Sequence, residues 1–215
     1  MSESDKKGFL DRIMSEADDS THPFLQKIQD NIKIILLVVG TVLFAAALYT
    51  LNSLWQDRKI SQANSRLETI MAQDSHETRI SRLEEFLGEA PGRLKGAILL
   101  ELAGTSMETG DFDKAAQSFR ELGRLDRDMR PVALLGQAKA YELMEDHGRA
   151  MRLLQEESKA IPDEFEAQYL SLLSFNAEKE GEYSVALEAY RGLRDMARGD
   201  TGFIDYKIET LSHKL

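Results

Sequence analysis

The stretch Ile34–Leu51 reads IILLVVGTVLFAAALYTL and contains no charged residue. Lys33 precedes it, and Asn52, Ser53, Leu54 and Trp55 follow. A helix that crosses a hydrocarbon core of about 30 Å needs about 20 apolar residues, and with Leu54 this run reaches that length. A single segment in lipid can satisfy its backbone only as a helix. Tyr49 and Trp55 lie towards one end, where amphipathic rings favour the membrane–water boundary. The run therefore predicts a transmembrane helix over residues 32–55. The competing reading, a buried core helix, fits poorly with so long an uninterrupted apolar run.

This run divides the chain into a polar head (1–31), the span and a region from 56 to 215 suited to one domain. Mean hydropathy is -0.37, so one span accounts for the membrane content. The chain has no cysteine, which excludes disulfides, thiolate metal sites and a cysteine nucleophile. A net charge of -10 argues against a broad nucleic-acid surface. In the head, Phe9, Leu10, Ile13 and Met14 fit one face of a short amphipathic helix, although a disordered tail is the simpler expectation. Pro23 is expected to open a helix running into the span. Ala45-Ala46-Ala47 resembles a cleavage signal, but the head is long and acidic and the apolar run continues past it, which favours an uncleaved anchor. Lys27 and Lys33 on one side face Arg58, Lys59 and Arg66 on the other, so the charge-bias rule does not orient the span.

Beyond the span the pattern is helical, with Ile60, Ala63, Leu67, Ile70 and Met71 at helical spacing, followed by Ile80, Leu83, Phe86 and Leu87. Glu89-Ala90-Pro91-Gly92 ends that second stretch. The chain then repeats. Gly110-Asp111-Phe112 with Ala115 and Phe119 recurs as Gly181-Glu182-Tyr183 with Ala186 and Tyr190, and Glu145-Asp146-His147 with Ala150 and Leu154 lies between. The alanines are 35 and 36 residues apart, and Ala103, Ala138 and Ser174 keep the same spacings one helix earlier. Leu99, Leu134 and Leu170 precede each of these by four residues. A fixed period of this length marks stacked helical hairpins, each unable to bury its apolar face alone. Small residues let two helix axes approach, and the aromatic or Leu four residues after the second small position fills the gap towards the next hairpin.

These residues resemble tetratricopeptide repeats. Ala103, Ala115 and Phe119 match the family's signature positions in one repeat; Ala138, Tyr141, Ala150 and Pro162 in the next; Tyr183, Ala186 and Tyr190 in the third. The family's Trp is replaced by Leu99, Leu134 and Leu170, and the period exceeds the usual value of about 34. The expected fold is all-α: one N-terminal transmembrane helix followed by a tetratricopeptide-like helical-hairpin solenoid. Its expected parts are a degenerate first unit (56–92), repeats near 94–127, 129–162 and 163–198, and a closing helix (202–214).

Sites for chemistry are sparse. His22, His76, His147 and His213 are far apart and lie in no metal-binding motif, and no phosphate-binding glycine loop or nucleophile elbow occurs. Pairs such as Glu84-Glu85 and Glu156-Glu157 read as solvated helix faces. Neither an enzyme, a cofactor nor a small-molecule substrate is expected. Recognition is the alternative, because the first helix of each hairpin lines the concave side of such an array. Repeat position nominates Leu100, Met107 and Glu108, then Leu135, Lys139 and Glu142, then Phe175, Glu178 and Lys179 as a protein-binding groove, with Gly104, Leu143 and Ser171 beside them. The competing expectation is that some of these only pack against the closing helix. The Asn positions of the family's clamp for a peptide carboxylate hold Gly104, Lys139 and Phe175.

The order of head, span and repeats also resembles the bacterial single-span inner-membrane tetratricopeptide-repeat family, the ancillary Sec translocon subunit (YfgM-like). Phe24-Leu25, Trp55-Gln56, the helix Ala63–Met71 and Gly110-Asp111-Phe112 with Ala115 carry that resemblance. It implies a single-pass inner-membrane protein with a cytoplasmic N-terminus and a periplasmic C-terminal domain. Its implied partners are translocon subunits, periplasmic chaperones or exported chains. A scaffold for another envelope assembly, in division or secretion, is the alternative.

Overall fold

The computed structural model describes residues 32–215, with side chains at 32–40, 47, 51–54 and 56 outside the described set. The head, its amphipathic helix and the helix start at Pro23 therefore lie outside the described residues. Helix α1 runs through Ile32–Met71. Among the described residues no helix is long and apolar enough to cross a membrane. Half of the run Ile34–Leu51 lies at positions whose side chains are outside the described set. The chain divides into two compact units, the second of which is Lys59–Leu215.

Within that second unit the end of α1 pairs with α2 (His76–Glu89). Three hairpins follow: α3 (Gly92–Thr109) with α4 (Phe112–Leu125), α5 (Arg130–Leu143) with α6 (His147–Glu156), and α7 (Glu166–Glu180) with α8 (Tyr183–Met196). Helix α9 (Gly202–Ser212) comes last. Two short 3₁₀ turns, Ser158–Ala160 and Asp163–Phe165, bracket Pro162, which has no N–H to continue a helix.

The small residues at the repeat period lie where the helices meet. Ala103, Ala138, Ala115, Ala150 and Ala186 are 0% exposed and Ser174 is 1%. Four residues after the second set, Phe119, Leu154 and Tyr190 are also buried. The core is a chain of clusters, each shared between successive hairpins. Ile70, Leu83, Phe86 and Ile98 join α1, α2 and α3. Leu99, Phe119, Leu122 and Ala133 join α3, α4 and α5. Leu134, Leu154, Leu173 and Ala189 join the next two hairpins, and Tyr190 and Leu187 pack with Leu211 of α9. Burying a side chain such as Leu83 or Leu211 contributes roughly 1.5–3 kcal/mol, so each hairpin depends on its neighbour.

The turns inside the three hairpins repeat one backbone geometry. Gly110 and Gly181 sit in the left-handed region with φ of 79° and 80°, and Glu145 takes the same place with φ of 60°. The next amide closes the turn, Asp146 N–H to Tyr141 O and Glu182 N–H to Ala177 O, both at 2.9 Å. The following helix is then capped. Asp111 accepts from the Lys114 amide at 3.2 Å, and Asp146 accepts from the Arg149 amide at 3.0 Å. Such caps satisfy N–H groups that the first helical turn leaves unpaired.

Candidate protein-binding surface

The nominated residues fall on the first helices of the hairpins, with unequal exposure. Lys139 on α5 and Phe175 and Lys179 on α7 are exposed, as are Gly104, Leu143 and Ser171. Leu100 and Met107 on α3 are half-buried against the cores at either end of that helix: Leu100 packs on the Leu99 and Phe119 cluster, and Met107 also reaches Ala115, Ala116 and Ala140. Leu135 is 9% exposed and belongs to the core with Leu134 and Ala138, because α5 has hairpins on both sides. Glu108 is solvated and faces His76 of α2 at 3.4 Å.

The exposed side chains of α5 and α7 are joined by a polar network. Lys139 pairs with Glu142. The Glu142 carboxylate accepts a hydrogen bond from the side-chain amide of Asn176 at 3.0 Å, and that same amide donates to Leu172 O at 2.7 Å. With its N–H₂ group so occupied, the Asn176 carbonyl oxygen is left to accept, and His147 Nδ1 lies 2.9 Å from it. This places the proton on His147 Nδ1. The His147 ring meets Phe175 edge to face at 5.8 Å between centroids, and the Lys179 ammonium lies 5.5 Å from the Phe175 ring. Asn176 is fully buried and anchors the network from below. The repeat pattern does not mark it, although an amide flanked by Phe175 and Ala177 on a helix with a buried face is the available signal.

Glu178 faces away from this network. It binds Lys207 of α9 at 2.8 and 2.9 Å and accepts from the Tyr190 hydroxyl at 3.0 Å. It thus links the third hairpin to the last helix, as the packing expectation held for part of the set. Burial, and next the Glu178 charge, push the Tyr190 hydroxyl up to about 12. At the turn before α6, hydrogen bonds from the Arg149 side chain and then its backbone amide hold Asp146 below the ordinary carboxylate value. Arg149 also lies 4.8 Å from the Tyr141 ring. Among the described residues no three His, Asp or Glu side chains gather where they would hold a metal ion.

The surface can therefore present an aromatic ring, two ammonium groups and the aliphatic Leu143, held by a buried amide. That is chemistry for contacting another protein. No protein-family model matches the chain. No curated protein matches it either. Among solved structures, MamA 41-end from Desulfovibrio magneticus RS-1 superposes with a TM-score of 0.54 at 15% identity, covering 73% of this chain and 90% of that one. A second MamA crystal structure gives 0.47 at 19% identity, over 65% of this chain and 88% of that one. The first of these shows the fold. It is an all-α, tetratricopeptide-like helical-hairpin solenoid.

Proposed function

We propose that this protein is a non-enzymatic, membrane-anchored adaptor of the bacterial cell envelope that binds other proteins through the first helices of its hairpins. The observation that carries the binding half is the exposed Phe175 and Lys139 surface, braced by Asn176. A rigid support beneath an exposed aromatic ring lowers the ordering cost of association. The anchor half rests on the apolar run Ile34–Leu51. Its described side chains support it, since Val42, Leu43 and Phe44 are 62, 64 and 66% exposed and Leu48 is 52%. Bare apolar side chains in this density call for lipid or a partner.

In this reading the inner membrane holds the span, the N-terminus is cytoplasmic and the hairpin domain is periplasmic. Its partners there are Sec translocon subunits, periplasmic chaperones or exported chains. These finer assignments come from the resemblance in residue pattern described above. A reporter active only outside the cytoplasm, fused after Leu215, is expected to be active; a silent reporter overturns the periplasmic placement. A photo-crosslinker at Phe175 or Lys139 is expected to trap translocon subunits or exported chains. Trapping of one stoichiometric partner, without the translocon, would favour a scaffold in another envelope assembly.

A further inference from the structure

A cavity of about 440 Å³ lies between the first two full hairpins, lined by α4, the turn after it, α5 and the end of α6. Four arginines converge on it: Arg120 and Arg124 from α4, Arg127 from the connecting turn and Arg130 from the start of α5. Arg130 is paired with Glu157 at 2.6 Å. The guanidinium groups of Arg120, Arg124 and Arg127 have no carboxylate partner among the described residues. Glu157 is the one acidic side chain in the lining, in a chain whose net charge is -10. Three of the four guanidinium groups therefore make no ion pair within the described residues, a local excess of positive charge against an acidic whole.

The floor is not uniformly polar. Phe119, Leu134 and Leu153 form an apolar base. Gln137, which is 8% exposed, also lines the cavity. Its amide nitrogen donates to the Tyr141 hydroxyl at 3.0 Å, while its carbonyl oxygen takes no hydrogen bond from the described residues. Guanidinium forks match carboxylates in two-point geometry. A free amide oxygen suits a backbone N–H, and the apolar base suits one aliphatic side chain. We propose that this cavity binds an acidic peptide segment of a partner protein, with two Asp or Glu side chains flanking an aliphatic residue. A bare phosphate-bearing surface would leave the apolar base and the Gln137 oxygen unused. The site shares no residue with the Lys139 and Phe175 surface and does not depend on the adaptor reading.

The test uses the detergent-purified full chain and an array of capped hexapeptides carrying two Asp or Glu around one varied position, beside Asn and Gln counterparts. Acidic peptides with Leu, Ile or Val at the varied position are expected to bind at least about tenfold tighter than their amide counterparts, and more weakly as salt rises. The double variant R124E/R127E is expected to lose at least about tenfold in affinity, R124K/R127K to retain part of it, and R93E, outside the cavity, to match wild type. Circular dichroism checks that these exposed substitutions leave the fold intact. Equal binding of acidic and amide peptides, or wild-type affinity in R124E/R127E, overturns the proposal. So does Arg124-dependent binding of short-chain phosphatidylglycerol with no peptide bound, which would make the cavity a lipid-headgroup site.

Discussion

The ring of Phe119 lies directly over Gly136, so closely that a Cβ at Gly136 would come within 2.6 Å of its Cε1 and Cζ atoms. Phe119 belongs to one hairpin and Gly136 to the next, and the contact sets how near α4 and α5 approach. Helix interiors otherwise favour Ala over Gly by about 1 kcal/mol. Here the clash dominates, so G136A is expected to destabilise the protein by roughly 1–3 kcal/mol. F119A, which empties the same space, is expected to cost about 3–5 kcal/mol. In the F119A background G136A should change sign and become mildly stabilising, because only the helix preference remains. Urea denaturation of the four proteins measures this coupling; additive effects would show that the ring does not depend on Gly136.

Glu145 occupies the left-handed turn position that Gly110 and Gly181 hold in the flanking hairpins. A side chain there crowds its own backbone by about 1–2 kcal/mol. E145G relieves that strain but frees the unfolded chain, which offsets part of the gain. The expected net effect is a stabilisation of up to about 1 kcal/mol, read as a raised thermal midpoint. A lowered midpoint would mean that the Glu145 side chain makes a stabilising contact outweighing its backbone conformation.

The three hairpin turns also differ in capping. Asp111 and Asp146 cap α4 and α6, whereas Glu182, with nearly the same backbone angles, makes no side-chain cap to α8. Its extra methylene carries the carboxylate past the amides. E182D is expected to gain about 0.5–1 kcal/mol at pH 7, and D146A to lose about 1 kcal/mol. The pH dependence follows from the lowered folded value of Asp146. Its stabilising contribution is full above the ordinary carboxylate value near 4 and is lost as pH falls through the lower folded value. The gap between wild type and D146A should therefore narrow below about pH 4. A gap that stays constant from pH 7 to pH 3 would show that the carboxylate charge plays no part.

What the sequence made legible was periodic. The small residues at Ala115, Ala150 and Ala186 announced their buried places through spacing alone, because each hairpin solves the same packing problem. Features without a period were hidden. Gly136 receives a side chain from another hairpin, so nothing in its own helix marks the contact. Leu135 was nominated for an open surface because its place on the repeat faces inward, yet α5 is flanked on both sides and buries it. Asn176 gathers Glu142 and His147 from α5 and α6, and the arginine cavity draws on α4, a turn, α5 and α6. Sites assembled from several hairpins depend on the relative placement of helices, which periodicity does not encode.

Tyr190, Glu178 and Lys207 connect α8, α7 and α9 through two charge-assisted contacts. The Tyr190 hydroxyl has its folded value raised to about 12, while an exposed tyrosine loses its proton near 10. A raised value means that folding favours the protonated form. The stabilisation is therefore complete below about pH 10 and is lost progressively as pH rises towards 12, where the unfolded chain has already gained a phenolate that the folded chain resists. Y190F keeps the ring against Leu211 and removes the titrating hydroxyl. It is expected to lose about 1 kcal/mol at pH 7 for the missing hydrogen bond, and to fall less steeply than wild type from pH 10 to 12. Burial also raises the Tyr169 hydroxyl, so the ultraviolet absorbance titration should show two late phenols in wild type and one in Y190F. K207A, by contrast, leaves Glu178 with Tyr190 alone and is expected to loosen α9, seen as faster amide exchange across Gly202–Ser212. If Y190F keeps both late phenols, or if K207A leaves α9 as protected as before, the three-residue link does not hold the last helix in place.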